Sequence, residues 1–337
     1  MSSLALSPLV VAMIACALTL ALTPALKAAA SRLGLLDRPN PRSSHVTAVP
    51  RGGGLGIALA ALGALGLAGA GLGRSATPVL AGAVALAVVG LLDDRFSLPA
   101  GVRVAAQLVV ALAVVLSLGG LERVPLPPPL DWPVGILGTP LAALWVVAVV
   151  NFFNFLDGID GLATLQAVVT GSGIAIAAWD PSLALVAGAL AGAAAGFLPF
   201  NWARASVFLG DVGSYFLGFT LAALPLGALP EWRSSAVLFV ALSLWLFLAD
   251  ATWTLTRRSL RGARVHEAHR EHLYQQLAQR FGHARVTLSI GIASATLTAF
   301  ALLALTSGSA AWTWAALGLA VAFFAAEAKA ATARSAA

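Results

Sequence analysis

Charge is what this sequence has least of. Charged residues fill 10% of its 337 positions and hydrophobic ones 59%, whereas soluble domains are about a quarter charged. Twenty basic and fourteen acidic residues cannot build the polar surface of one or two soluble domains. A bundle of lipid-facing helices needs few charges, because its backbone polar groups are satisfied within each helix. Cysteine is scarcer still. Cys16 stands alone inside an apolar run, which excludes an intramolecular disulfide and any Cys-built zinc or iron–sulfur site. Residues 1–8 carry no Lys or Arg, and the apolar run there is too long for a signal peptide, so a retained first helix is expected. Separate soluble domains and low-complexity tracts are missing as well, and the expected organisation is a single transmembrane domain over 1–337.

What is present is a succession of apolar segments, each near the length that crosses about 30 Å of hydrocarbon at ~1.5 Å per residue. Eleven can be drawn, at about 5–27, 54–73, 77–92, 102–120, 134–152, 162–178, 182–198, 213–229, 235–256, 286–306 and 310–327. They are continuously apolar and do not alternate as barrel strands would. The expected fold is therefore all-α, a polytopic membrane helix bundle. Small-residue stretches such as Gly63 to Gly73 and Ala191 to Gly196 suit close helix–helix contact.

The net charge of +6 is read first as topology, not as a nucleic-acid signal. With eleven crossings, seventeen Lys and Arg fall on the side reached by the first loop, and only Arg74, Arg123 and Arg233 on the other. By the positive-inside rule the N-terminus is expected outside and the C-terminus in the cytoplasm. Cytoplasmic loops then cover about 28–53, 93–101, 153–161, 199–212 and 257–285, and the expected location is the bacterial inner membrane.

The acids are more specific than the bases. Asp93, Asp94, Asp157, Asp160 and Asp211 all map to the cytoplasmic mouth, and carboxylates close to hydrocarbon are costly enough to mark function. Crowded there they repel one another unless a cation or Arg neutralises them. Oxygen donors without Cys suit Mg²⁺, or Mn²⁺. In the segment Asn151 to Gly161, Asn151, Asn154, Asp157 and Asp160 recur every three residues, a spacing that brings them round to one flank of a helical turn. Gly158 and Gly161 loosen that turn. An Asx-rich cap on the next helix is the plainer explanation, but it leaves Asn151 and Asn154 unexplained.

Two basic loops complete the pattern. The first holds Arg42, His45 and Arg51 beside Gly52, Gly53 and Gly54, a set suited either to clamping an anion or to starting a helix close to its neighbours. The last contains His266, His269, Arg270 and His272, with Leu273, Leu277 and Phe281 at helical spacing. That spacing predicts an amphipathic helix on the membrane surface. Phosphate contact by Arg270 and His272 fits these residues better than a zinc site built from one helix.

Taken in order, Asp37 to Arg42 with His45 and Pro50, Leu92 to Arg95, Asn151 to Ala163, Leu209 to Ser214 with Leu217 to Phe219, and Ala268 to His272 resemble the polyprenyl-phosphate N-acetylhexosamine-1-phosphate transferases. That family includes phospho-MurNAc-pentapeptide transferase. The resemblance implies that undecaprenyl phosphate attacks the β-phosphorus of a UDP-sugar, releasing UMP. It also implies roles. Asp211 and Asn154, with Asp94, would hold Mg²⁺; Asp93 and Asp94 would bind or deprotonate the lipid phosphate; Asp157 and Asp160 would position the nucleotide. Arg42, His45, Asn151, Gly158, His269 and Arg270 would bind substrate, with His272 at the phosphates. Tyr274 and Gln275 stand where much of the family has a further pair of histidines. This resembles the branch that starts O-antigen-type polysaccharides on 6-deoxy-N-acetylhexosamines, with the muramyl-pentapeptide reaction as the alternative. Expected partners are undecaprenyl phosphate, a UDP-sugar, the lipid bilayer and a second copy in a homodimer. A cation-coupled transporter is the competing class, and acids at the helix ends instead of mid-membrane speak against it.

Overall fold

The structure, a computed structural model, describes residues 7–37, 49–69, 71–177, 179–263 and 269–333. Arg42, His45 and His266 lie outside the described residues. Thirteen α-helices run in chain order among those residues: α1 Pro8–Leu33, α2 Gly53–Leu67, α3 Ala76–Phe96, α4 Ala100–Leu118, α5 Gly138–Phe155, α6 Leu162–Ala177, α7 Pro181–Asn201, α8 Gly210–Ala223, α9 Pro230–Ser243, α10 Trp245–Leu260, α11 Leu273–Phe281, α12 His283–Ser307 and α13 Ala310–Thr332. Two-residue strands, β1 Leu36–Asp37 and β2 Val49–Pro50, pair antiparallel at the start of α2. The protein is thus an all-α polytopic membrane protein.

Each of the eleven apolar segments folds as helix, but they divide by length. Seven helices qualify as spans by length and composition, and the pair α9 and α10 makes an eighth if counted as one bent span. α2 and α6 are apolar but shorter, and α8 has only 14 residues. Burial explains why α8 tolerates this: from Val212 to Ala223 every residue is buried, so its surroundings are other helices and not lipid.

The sequence predicts one helix over 235–256; the structure breaks it at Leu244 and bends it by 74°. No proline causes this. The Gln166 amide donates to the Ser243 carbonyl at 2.8 Å, the acceptor that would otherwise continue the helical ladder, and such side-chain insertion is a recognised cause of kinks. Gln166 also donates to Thr170 and accepts from Ser294, while Ser243 shares hydrogen bonds with Thr170 and Thr298. This buried polar knot ties α6, α9 and α12 together.

Between lipid-embedded helices, close packing and hydrogen bonds replace the hydrophobic effect as the driving force. The predicted small-residue stretch Ala191 to Gly196, extended by Gly188 one turn before it, does this on α7. A Cβ on Gly188, Gly192 or Gly196 would stand 2.6, 2.0 or 2.4 Å from a backbone carbonyl oxygen of α1, so these three positions set the distance between the two helices. Two further contacts bear on the site. Gly54 and Gly213 touch where α2 meets α8, and Gly90 on α3 lies against the Asp211 carbonyl, where a Cβ would stand 2.4 Å away.

Candidate active site

One end of the bundle gathers the C-terminal ends of α3, α5 and α10 and the N-termini of α8, α11 and α12. The start of α8 is fixed from two sides. Gly90 brings α3 against it, and one helical turn later Asp94 faces the same neighbour. Its two carboxylate oxygens accept hydrogen bonds from the backbone N–H of Asp211 (3.0 Å) and Val212 (3.1 Å). These are among the donors that a helix N-terminus leaves without partners. Arg51 stands 3.7 Å from the same carboxylate. Gly210, at φ +74°, has no room for a side chain, because a Cβ would lie 2.7 Å from Asp94.

With the backbone held, the Asp211 side chain is presented to α5. Asn154 donates to its Oδ1 at 2.7 Å and to the Ser214 hydroxyl at 2.9 Å. Asp211 Oδ2 and Asn154 Oδ1 accept no hydrogen bond from the described residues. The half-buried Asp157 carboxylate likewise has no hydrogen-bond donor among them. Burial, followed by the neighbouring Asp211 charge, pushes Asp157 well above the ordinary carboxylate range, with Arg51 opposing and Asp94 and Asp160 adding to the rise. Among the described residues no three or more His, Cys, Asp or Glu side chains form a metal cage. What is present is a set of open carboxylate and amide oxygens crowded by like charge. That donor set fits Mg²⁺, which commonly takes one or two protein ligands and fills the rest with water and phosphate.

The other predicted acids are engaged differently. Asp93 is buried and accepts from the Leu98 backbone (2.8 Å), Arg103 (2.9 Å) and the Tyr215 hydroxyl (3.3 Å). It closes the turn after α3 and ties α4 and α8 to it. Asp160 accepts from the Arg204 backbone at 2.9 Å and pairs with His283 at 3.2 Å, while its carbonyl accepts from Thr287. Burial pushes the Asp160 carboxyl up, but His283 and the Arg204 and Ala205 amides outweigh it and hold Asp160 below the usual range. Asn151 turns away from the cluster and donates to Gln107 on α4 and to the Val147 carbonyl. A three-residue step is 300° around a helix, so Asn151 and Asn154 meet different neighbours. Gly52, Gly53 and Gly54 serve the packing alternative: the Gly53 and Gly54 amides donate to the Phe208 and Leu209 carbonyls.

The last loop forms a second start. α11 is the predicted amphipathic helix, with Leu273, Tyr274, Leu277 and Ala278 buried. Its N-terminus is held by Asp250, which is fully buried in α10 and accepts from the Leu273 and Tyr274 amides, both at 3.0 Å, and from Thr254 at 2.9 Å. His272 Nδ1 lies 3.1 Å from the same carboxylate, so it carries the proton and donates. His272 is itself buried and stacks on His269, with ring centroids 5.0 Å apart. Burial and then the His272 and Arg258 charges lower His269 to about 4, so its ring is neutral at pH 7. The Glu271 amide points at His269 Nδ1, which leaves the proton on Nε2 as an outward donor. Arg270 is exposed. Arg258 pairs with Glu271 beneath this loop. Tyr274 donates to the Phe155 carbonyl at 2.8 Å, and a Cβ on Gly158 would stand 2.1 Å from its hydroxyl. Gly158 is therefore the position that lets α11 close over the turn after α5.

Asp250 and His283 are the residues that sequence reasoning missed. An acid inside the apolar stretch 235–256 is a signal by itself, and Asp250 carried it. His283 had no such signal, since its partner Asp160 lies 123 residues earlier.

Residues 76–228 match the family model for glycosyl transferase family 4, a range holding Asp93, Asp94, Asn154, Asp157, Asp160 and Asp211. The chain is 31% identical over 280 residues to a probable undecaprenyl-phosphate N-acetylglucosaminyl 1-phosphate transferase of Bacillus subtilis, covering 80% of this chain and 77% of that one. It is 32% identical over 304 residues to a decaprenyl-phosphate N-acetylglucosaminephosphotransferase of Mycobacterium tuberculosis, covering 77% and 73%. A phospho-N-acetylmuramoyl-pentapeptide-transferase of a Synechococcus species is 32% identical over 250 residues, covering 66% and 70%. With likeness of this extent, and with the shared segment holding the acids gathered at one end of the bundle, the chain belongs to glycosyl transferase family 4.

Proposed function

We propose that this protein transfers N-acetylhexosamine 1-phosphate from a UDP-sugar to undecaprenyl phosphate, with release of UMP. An oxygen of the lipid phosphate forms the new bond to the β-phosphorus, and the bond from that phosphorus to the bridging oxygen breaks. The observation that carries this reading is the open oxygen set formed by Asp211, on a helix start fixed by Asp94, with Asn154 and Asp157 beside it. Phosphoryl transfer is mainly positioning and charge stabilisation, and an acid cluster with open oxygens serves it by way of a divalent cation. Asp211 and Asn154 would hold Mg²⁺, which when bound supplies positive charge to the diphosphate. Asp94 acts through α8 as a positioning residue, and Asp93 fixes α3 against α4 and α8. Arg270 and the Nε2–H of His269 are donors suited to phosphate oxygens. His272, held by Asp250, orients His269 by stacking. Asp160 anchors the loop that carries Asp157 to α12.

The N-acetylglucosaminyl 1-phosphate transferases among its relatives favour N-acetylglucosamine as the sugar, and the 6-deoxy sugars of O-antigen-type synthesis are the narrower choice. The face rich in Lys and Arg, where UDP-sugars are made, is taken as cytoplasmic, which places the protein in a bacterial inner membrane. The test is to offer purified protein a panel of UDP-sugars with undecaprenyl phosphate and Mg²⁺ or EDTA. UMP release should require both the lipid phosphate and the cation, and the mass of the lipid product identifies the sugar. A muramyl-pentapeptide product would move the protein to the alternative reaction. Counterflow of a labelled substrate without UMP would make it a transporter.

A further inference from the structure

Away from the acid cluster, α10, α11, α12 and α13 enclose a cavity of about 470 Å³. Its walls are apolar, with Leu246, Leu277, Ile290 and Phe323 among them. Besides the Ser289 hydroxyl, two charged lining residues break the pattern. Glu327 is 9% exposed, and neither of its carboxylate oxygens has a hydrogen-bond partner among the described residues. Arg285, also in the lining, is exposed and makes no ion pair with Glu327 or any other described residue. A buried carboxyl without a donor is costly and calls for an explanation. The lining residues Phe281 and Ile292 are 47% and 59% exposed, the first ending the amphipathic α11 and the second on α12, a helix long and apolar enough to cross a membrane. Arg280, next to the lining residue Phe281, donates to the Ala330 and Ala333 carbonyls, fastening α11 to the end of α13. The site thus offers a buried acid, an exposed guanidinium and apolar walls.

We infer that this cavity holds the headgroup of an ethanolamine phospholipid, its primary ammonium on Glu327 and its phosphodiester on Arg285. The ammonium brings three N–H donors, enough for both orphaned oxygens. The phosphodiester complements the one cation in the lining, and an acyl chain follows the apolar wall out past Ile292. An anionic phospholipid satisfies Arg285 but gives Glu327 no cation. A choline headgroup has the charge but no N–H to donate. Because Leu277 and Phe281 of α11 line the cavity, its occupant also supports the helix that begins at His272.

The test uses the full chain in detergent, delipidated and then offered phosphatidylethanolamine, phosphatidylcholine or phosphatidylglycerol of matched acyl chains. Retained lipid is read by native mass spectrometry, independently of transferase activity. Phosphatidylethanolamine should be retained roughly tenfold better than either competitor, the ratio expected for one charge-assisted hydrogen bond. Glu327→Gln should abolish the preference over phosphatidylcholine, and Arg285→Gln should weaken retention of all three. Equal retention of the three lipids, preference for phosphatidylglycerol, or unchanged retention in both variants would overturn the proposal. If Glu327→Gln does not fold, the headgroup series and the exposed Arg285→Gln variant decide it.

Discussion

α8 and α11 begin in the same way and to different ends. Each has a buried aspartate from another helix, Asp94 and Asp250, accepting hydrogen bonds from two consecutive backbone amides at its N-terminus. At α8 the neighbours of the cap are acids with open oxygens and Arg51. At α11 they are donors, His272 and Thr254, which fill the cap's remaining capacity. A carboxylate on a helix N-terminus is a rigid way to anchor a helix. What each anchor presents depends on the company it keeps: the first start exposes oxygens that suit a cation, the second a neutral imidazole and an exposed guanidinium that suit phosphate.

The largest effect should come from the acid that the α8 cap presents. Asp211→Asn keeps the shape and removes the charge, and UMP release should fall by at least about 10³, the scale of losing an electrostatic stabiliser; near-normal turnover would show that the open oxygens are not functional. Asp94→Asn leaves one carbonyl acceptor for two amides, so activity should drop about 10²-fold and unfolding free energy by about 1–3 kcal/mol, seen as a lower melting temperature in detergent. Asp250→Asn should cost similar stability but less activity, about 10-fold, which is the range for losing a group that orients another. If Asp250→Asn proves as damaging to turnover as Asp211→Asn, the contrast between the two starts fails.

Two smaller tests sharpen it. Because Asp160 is held below 3.8 in the folded protein, its contribution to stability is complete above the unfolded value of about 3.9 and is lost as pH falls through the lower folded value. His283→Gln should therefore lower the melting temperature near neutrality, and the difference from wild type should shrink as pH falls below about 4, as followed by melting temperature against pH. Gly158→Ala should cost about 1–3 kcal/mol by overpacking against the Tyr274 hydroxyl. Adding Tyr274→Phe should recover part of that loss, a non-additivity that a double-mutant cycle measures directly.

Much of this was legible in advance. The eleven apolar segments all became helices, since hydrocarbon forces the backbone to bond within itself. The acids Asp94, Asp157 and Asp211 stood out because charges are rare here, and the three-residue spacing pointed to Asn154. The same spacing misled for Asn151, whose neighbour is α4 and not α8. The division of labour between adjacent Asp93 and Asp94 was not legible, because it depends on which helix faces each side of α3. Nor was the break at Leu244, caused by a glutamine 77 residues away in sequence.

Composition and hydropathy are sums over local residues, and the free energy of leaving water is nearly local too, so the sequence by itself determined that the chain is a membrane helix bundle with its acids at one end. Which carboxylate caps a helix and which keeps an open oxygen are set by partners between 23 and 118 residues apart. Only the tertiary structure decided those, because hydrogen bonds and burial depend on which helices come to lie side by side.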